Sequence, residues 1–378
     1  MIKLLFKYGA VIFLFNTILL SIDYTIALGN HIFILLMVLF GSILLINPKQ
    51  INNIIFHKAF SFLLILNIIN LSYFLLFHSL SDFEAIKYML ARGVQFSLIS
   101  FSVFYNYEYF KNKFLKHLTY IIFGVIVISL VSHPNIFSGR YSGIVWNPNA
   151  LASFSVIGFS ALFFNYKKKT NFDYFLLFIF LVISLSTGSR GVVIAIPLAF
   201  FLKYKFSFIN IAYAFLAIFA YILIISIQLD TSLNRFADQS LFNDRLLQYH
   251  YAFETFLQKP FFGFGLDKYA FINPDIIPDS LSGYIMSAHN GYLAILVQYG
   301  FFFGFLILGI IFRKSFLFFN NDSLKYPENK FYTYLIAYTL IASVYETLLT
   351  GINEFQTILF WFALSFLSYS KFRKANAI

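Results

Sequence analysis

Cysteine is absent from the 378-residue chain, and charged residues make up only 11% of it. Without cysteine there can be no disulfide, no thiolate nucleophile and no Cys-ligated metal. Soluble domains carry about 25% charged residues, so this chain has too little charge to cover a water-soluble surface. A soluble enzyme, a nucleic-acid-binding domain and a disordered chain are excluded on that ground. What is abundant is apolar: 60% of the residues, in runs such as 206–229. The composition predicts an all-α integral membrane protein. The 54 phenylalanines carry no functional weight.

About 20 mainly apolar residues cross the hydrocarbon core as a helix. That ruler gives twelve spans, near 5–22, 31–47, 59–78, 85–105, 117–132, 149–165, 172–187, 190–202, 206–229, 290–312, 331–350 and 354–370. Lys3 and Lys7 precede the first run as they would in a signal peptide. No small-residue cleavage site follows, so the segment is read as a retained span. No internal repeat is visible, and 1–378 reads as one membrane domain.

Basic residues favour the cytoplasmic side. With both termini cytoplasmic, the lysines of 111–116, 167–169 and 203–205 and the basic residues of 371–374 fall inside, while Asp23, Asp82 and Glu84 fall outside. The excess of 27 basic over 16 acidic residues is thus a topology signal and calls for no nucleic-acid partner. Eight basic residues run against the bias: Lys87, Arg92, Arg140, Arg190, Arg235, Arg245, Lys259 and Lys268. Some task other than topology should hold them on the outer side.

One outer loop is long, 230–289. Its first half predicts a helix that opens near Asn243 or Asp244 and ends at Lys259-Pro260, because proline terminates helices. Leu246, Phe253 and Leu257 give this short helix an amphipathic face that can rest on the membrane surface. Arg245 and Tyr249, at i and i+4, share a neighbouring face. Beyond Pro260, Gly263-Phe264-Gly265, Asn273-Pro274 and Ile277-Pro278-Asp279 predict irregular turns.

Three outer stretches can carry chemistry: 140–152, 186–191, and Arg245 together with 287–293. Arg190 reads either as a snorkelling anchor or as a guanidinium held by a glycine-flanked turn to face a phosphate. Arg245 reads as a solvated residue of an amphipathic helix or as a partner in such a site. His289 is either structural or a neutral imidazole able to take a proton from a hydroxyl, and Asn290 is placed to cap the following helix. Trp146 can stack on a sugar ring or simply sit at the interface. Arg92 lies inside span four, where a charge must serve or pair; it can extend an anion site or pair with Glu84 or Glu346. The histidines are scattered, so no metal site is expected. The glycines at 263 and 265 follow no βαβ unit, so no dinucleotide cofactor is expected either.

Taken together, Trp146-Asn-Pro-Asn-Ala-Leu-Ala152, Thr187-Gly-Ser-Arg-Gly191, Arg245 followed by Lys259-Pro-Phe-Phe-Gly-Phe-Gly265, and Ala288-His-Asn-Gly-Tyr-Leu293 with Gly300 and Gly304 resemble the O-antigen ligase and polymerase superfamily of bacterial envelope glycosyltransferases. The resemblance covers roughly 140–310 and rests on the order and spacing of the set. It implies metal-independent transfer of a glycan from an undecaprenyl-pyrophosphate donor, on the periplasmic face of the inner membrane. It implies that Arg190 and Arg245 grip the pyrophosphate and that His289 acts at the acceptor hydroxyl, with Arg92, Tyr249 and Trp146 as further substrate-binding candidates. The acceptor would be the lipid A core for a ligase, or a second lipid-linked glycan for a polymerase. A lipid-linked oligosaccharide flippase is the competing class. A transporter should place its charges near the bilayer midplane, often within inverted repeats, whereas here they collect at one face.

Overall fold

A computed structural model of the chain describes residues 2–46, 48–136, 139–165, 168–204, 208, 211–212, 243–267, 289–320 and 324–376. The ninth expected span falls almost wholly outside the described residues, as do Arg235, Lys268 and the predicted turns at 273–279. The rest is all α, with no named strand among the described residues. The helices are α1 (Ile2–Leu20), α2 (Ile26–Ile46), α3 (Pro48–Ile55), α4 (Ser61–Phe77), α5 (Phe83–Asn112), α6 (Phe114–Ser132), α7 (Pro148–Phe164), α8 (Asn171–Ser186), α9 (Arg190–Tyr204), α10 (Asn243–Gln258), α11 (Gly291–Phe316), α12 (Pro327–Ala342) and α13 (Phe355–Ala375). Among the described residues, four stretches are long and apolar enough to cross a membrane: Lys3–Leu20, Asp23–Ile43, Phe114–Ser132 and Gly291–Phe316. Three more apolar helices are shorter, Ser61–Phe77, Pro148–Phe164 and Asn171–Ser186.

Local chemistry fixes several helix starts. Asn147 caps α7 with Pro148 at its first position, and Thr170 and Asp173 form a capping box on α8. The Asn290 side chain accepts from the backbone N–H groups of Tyr292 and Leu293, both at 3.0 Å, so it caps α11 as its sequence position predicted. Such caps satisfy backbone donors that the first helical turn leaves open.

Long-range hydrogen bonds divide the molecule into two ends. At one, Trp146 N–H donates to the Ser21 carbonyl, Tyr141 N–H to the Ser186 carbonyl, and Leu266 N–H to His78 Nε2. At the other, Tyr332 donates to the Phe110 carbonyl, Tyr107 to Ser370, and Arg373 pairs with Glu108. The segments expected on the outer side thus gather at one end and those expected inside at the other.

Two departures from regular helix organise the first of these ends. The first is a break in α11 at Gly300, whose φ is +68°. Phe264 and Gly265 N–H donate to the carbonyls of Val297 and Gln298, and Phe301 N–H donates to the Pro260 carbonyl. The Lys259–Gly265 stretch therefore pairs, backbone to backbone, with groups that the broken helix leaves unbonded. A Cβ on Gly300 would lie 2.4 Å from the Phe261 carbonyl carbon, and one on Gly263 would lie 2.5 Å from the Gln298 oxygen. No side chain fits at either position.

The second departure corrects the expected span 331–350: α12 stops at Ala342, and 343–354 is non-helical. The apolar run continues, but its carbonyls are taken by donors from elsewhere. Gly291 N–H binds the Ser343 carbonyl at 2.7 Å, and Tyr249 and Asn290 bind that of Val344 at 2.6 and 3.2 Å. These bonds replace those a continued helix would have made.

Candidate active site

An unwound segment inside an apolar bundle must find a partner for each backbone polar group. The side chains that serve the 343–354 connector include most of the outer-side candidates. Arg245 and Tyr249 reach it from α10, which runs from Asn243 to Gln258 as predicted. Leu246, Phe253 and Leu257 lie exposed on that helix, about half of each surface accessible. Arg245 donates to the Tyr345 carbonyl, and its guanidinium carbon sits 5.4 Å from the Tyr345 ring centre. Arg92 and Tyr88 of α5 donate to the Thr350 carbonyl, and Gln95 donates to that of Ile352.

Glu346 is the hub. One carboxylate oxygen receives Arg245 Nη2 at 2.8 Å, and the other lies 3.3 Å from His289 Nδ1. Burial by itself would raise this carboxyl, but the His289 hydrogen bond and the Arg245 charge outweigh it and hold it below the usual range. Against an ionised carboxylate, Nδ1 is the nitrogen that carries the proton. In the neutral imidazole that arrangement leaves the lone pair on Nε2. His289 has φ +40° and Leu349 has φ +77°, conformations that cost on the order of 1–3 kcal/mol each for non-glycine residues. Gly291 follows the cap because a Cβ there would lie 2.3 Å from the Leu348 carbonyl oxygen.

The turn carrying Arg190 packs on the same segment. Gly188 adopts φ +58°, Ser189 N–H donates to Thr187 Oγ1, and Arg190 opens α9 half-buried. A Cβ on Gly191 would lie 3.2 Å from the Tyr345 hydroxyl. From the opposite side, Arg140 binds the Thr187 carbonyl and the Asn149 side chain. The 140–152 stretch thus steadies this turn.

Of the predicted residues, Arg245 and His289 meet on Glu346, Tyr249 holds the neighbouring Val344 carbonyl, and Arg190 lies beside the glycine that touches Tyr345. Arg92 grips the far part of the connector at Thr350 and pairs with neither Glu84 nor Glu346. Glu84 faces Lys87 at 3.8 Å instead. Trp146 is 58% exposed, next to Ser21. Glu346 is the residue that sequence reasoning left as a mere alternative partner. Its signal was an ionisable residue inside an expected span, which is costly unless it serves or pairs.

Among the described residues, no group of three or more His, Cys, Asp or Glu is placed to hold a metal ion. The arrangement instead offers arginine forks for an anion and an oriented imidazole, on backbone set by two helix breaks. Residues 174–309 match the family model described as O-antigen ligase. The matched segment contains Arg190, Arg245 and His289, with Trp146 before it and Glu346 after it. The resemblance to the O-antigen ligase and polymerase superfamily is borne out over that segment. No curated protein matches the chain.

Proposed function

Taking the O-antigen ligase match as premise, we propose that this protein is a periplasmic-face glycosyltransferase, moving an undecaprenyl-pyrophosphate-linked glycan onto an acceptor hydroxyl. In this reading it is a twelve-span protein of the bacterial inner membrane with both termini in the cytoplasm. The observation that carries the proposal is the convergence of Arg245 and His289 on Glu346. A carboxylate that fixes an imidazole tautomer and also orients a guanidinium couples the two halves of such a reaction.

His289 Nε2 takes the proton of the acceptor hydroxyl as its oxygen bonds to the anomeric carbon. The bond from that carbon to the pyrophosphate oxygen breaks, and negative charge grows on the leaving group. Arg190 and Arg245 supply the fixed positive charge that stabilises it. Arg245 spends one Nη on Glu346 and one on the Tyr345 carbonyl, which sets its plane in advance and leaves further N–H groups for phosphate oxygens. Tyr249 and Arg92 act by holding the connector, and Trp146 offers an exposed ring to a sugar.

The acceptor favoured is the lipid A core, which makes the reaction a ligation. Cells lacking the protein would be complemented with wild type, His289→Ala or Arg190→Ala, and the lipopolysaccharide ladder read beside the undecaprenyl-linked pool. Long chains accumulating on undecaprenyl pyrophosphate above bare lipid A core are expected. A single repeat unit on the core would make the protein a polymerase. Full complementation by both variants would sink the site and favour a flippase.

A further inference from the structure

Arg92 is 2% exposed. Among the described residues, no carboxylate lies within ion-pair distance of it. Its three hydrogen bonds all go to neutral groups: Gln95 Oε1 at 2.7 Å, the Tyr88 hydroxyl at 3.2 Å and the Thr350 carbonyl. The rings of Tyr88 and Phe96 flank the guanidinium, their centres 5.5 and 5.6 Å from its central carbon. Carbonyls and π faces ease desolvation, and Glu354 acts on the charge only from a distance, so no anion meets the guanidinium directly. A buried charge in that state costs several kcal/mol unless an anion meets it.

Beside Arg92 lies a small, partly open cavity of about 30 Å³, between α4, α5, α11, α13 and the connector. Thr350 and Trp361 line it and are 2% and 3% exposed. Thr350 Oγ1 and Trp361 Nε1 are both buried without a hydrogen-bond partner. An indole N–H can only donate and a hydroxyl can donate. One cation and two spare donors therefore border a space whose walls are otherwise largely aliphatic and aromatic.

We propose that this cavity binds a single small monoanion of halide size. One positive charge matches one negative charge, and a dianion would bury an uncompensated charge among apolar walls. The small volume of the cavity suits a monatomic anion. Glu354 feels the Arg92 charge from beyond ion-pair distance, accepts from Thr357 Oγ1 at 2.9 Å and is not among the lining residues. The bound anion locks Arg92 and, through it, the Thr350 end of the connector. This site stands apart from glycan transfer, and its test reads stability.

The unfolding temperature of the full chain in detergent would be followed as sodium chloride or bromide replaces sodium gluconate at constant ionic strength. A saturable rise with either halide is expected, lost in Arg92→Met. Thr350→Val and Trp361→Phe each remove one donor and should raise the half-saturating chloride concentration roughly tenfold. Should Arg92→Met fail to fold, these two variants decide. Equal unfolding temperatures in chloride and gluconate overturn the site, and so does wild-type half-saturation in both donor variants.

Discussion

The two ends of the molecule hold their cations differently. At the lysine-rich end, Lys169 and Lys203 donate to the carbonyls of Asn165 and Phe163, where α7 terminates, and Lys203 lies 3.9 Å from the Phe163 ring centre. The helices there run to their natural ends, and a flexible ammonium satisfies the last carbonyls and the helix dipole. At the opposite end, arginines grip carbonyls of backbone that has left the helix midway, and Glu346 and His289 complete the cluster. A lysine on a helix end is worth a few tenths of a kcal/mol to about 1. An arginine holding unwound, buried backbone cannot be removed without stranding several polar groups. Similar charge therefore caps helix ends in one place and holds unwound backbone in the other.

The largest break in that comparison should come from His289→Ala. It is expected to lower glycan transfer by on the order of 10²–10⁴-fold with little change in unfolding temperature. Lys203→Met, at the opposite end, should leave transfer within about twofold, as a capping role demands. Comparable loss in both would erase the distinction between the ends. Next is Glu346→Gln, which keeps the shape but removes the charge that orients His289 and Arg245. Transfer should fall roughly 10–100-fold, as when an orienting partner of a functional ligand is removed. Wild-type rates with this variant would remove Glu346 from the site.

Gly300→Ala sharpens the picture within one helix. A Cβ there meets the Phe261 backbone at φ +68°, whereas Gly309 on the same helix has open space around it. The first substitution should destabilise by on the order of 2–4 kcal/mol, and Gly309→Ala should stabilise by about 0.5–1 kcal/mol. Unfolding temperatures in detergent read both, and equal effects would argue against the docked break.

Residue order alone made much of this legible. The amphipathic helix at 243–258 was marked by its polar start and by Pro260, and the Asn290 cap by its place before an apolar run. These features depend on neighbours within a turn or two, which is the range over which capping and proline sterics act. The stretches around Arg190, Arg245 and His289 stood out because their basic residues run against the expected insertion bias. The glycines at 263 and 265 were read as turns, but their partner, the break at Gly300, lies 35 and more residues away.

Composition and local signals determined that the chain is a helical membrane protein. Hydropathy, however, counts the residues of 343–350 as span, because it cannot register which carbonyls have found donors on α10 and α11. Only the tertiary structure decided that α12 stops at Ala342, that Glu346 joins Arg245 to His289, and that Arg92 binds Thr350 without a carboxylate. Backbone hydrogen bonds in a water-poor interior go to whichever donor folding brings within reach, and that donor is set by the packing of helices far apart in sequence.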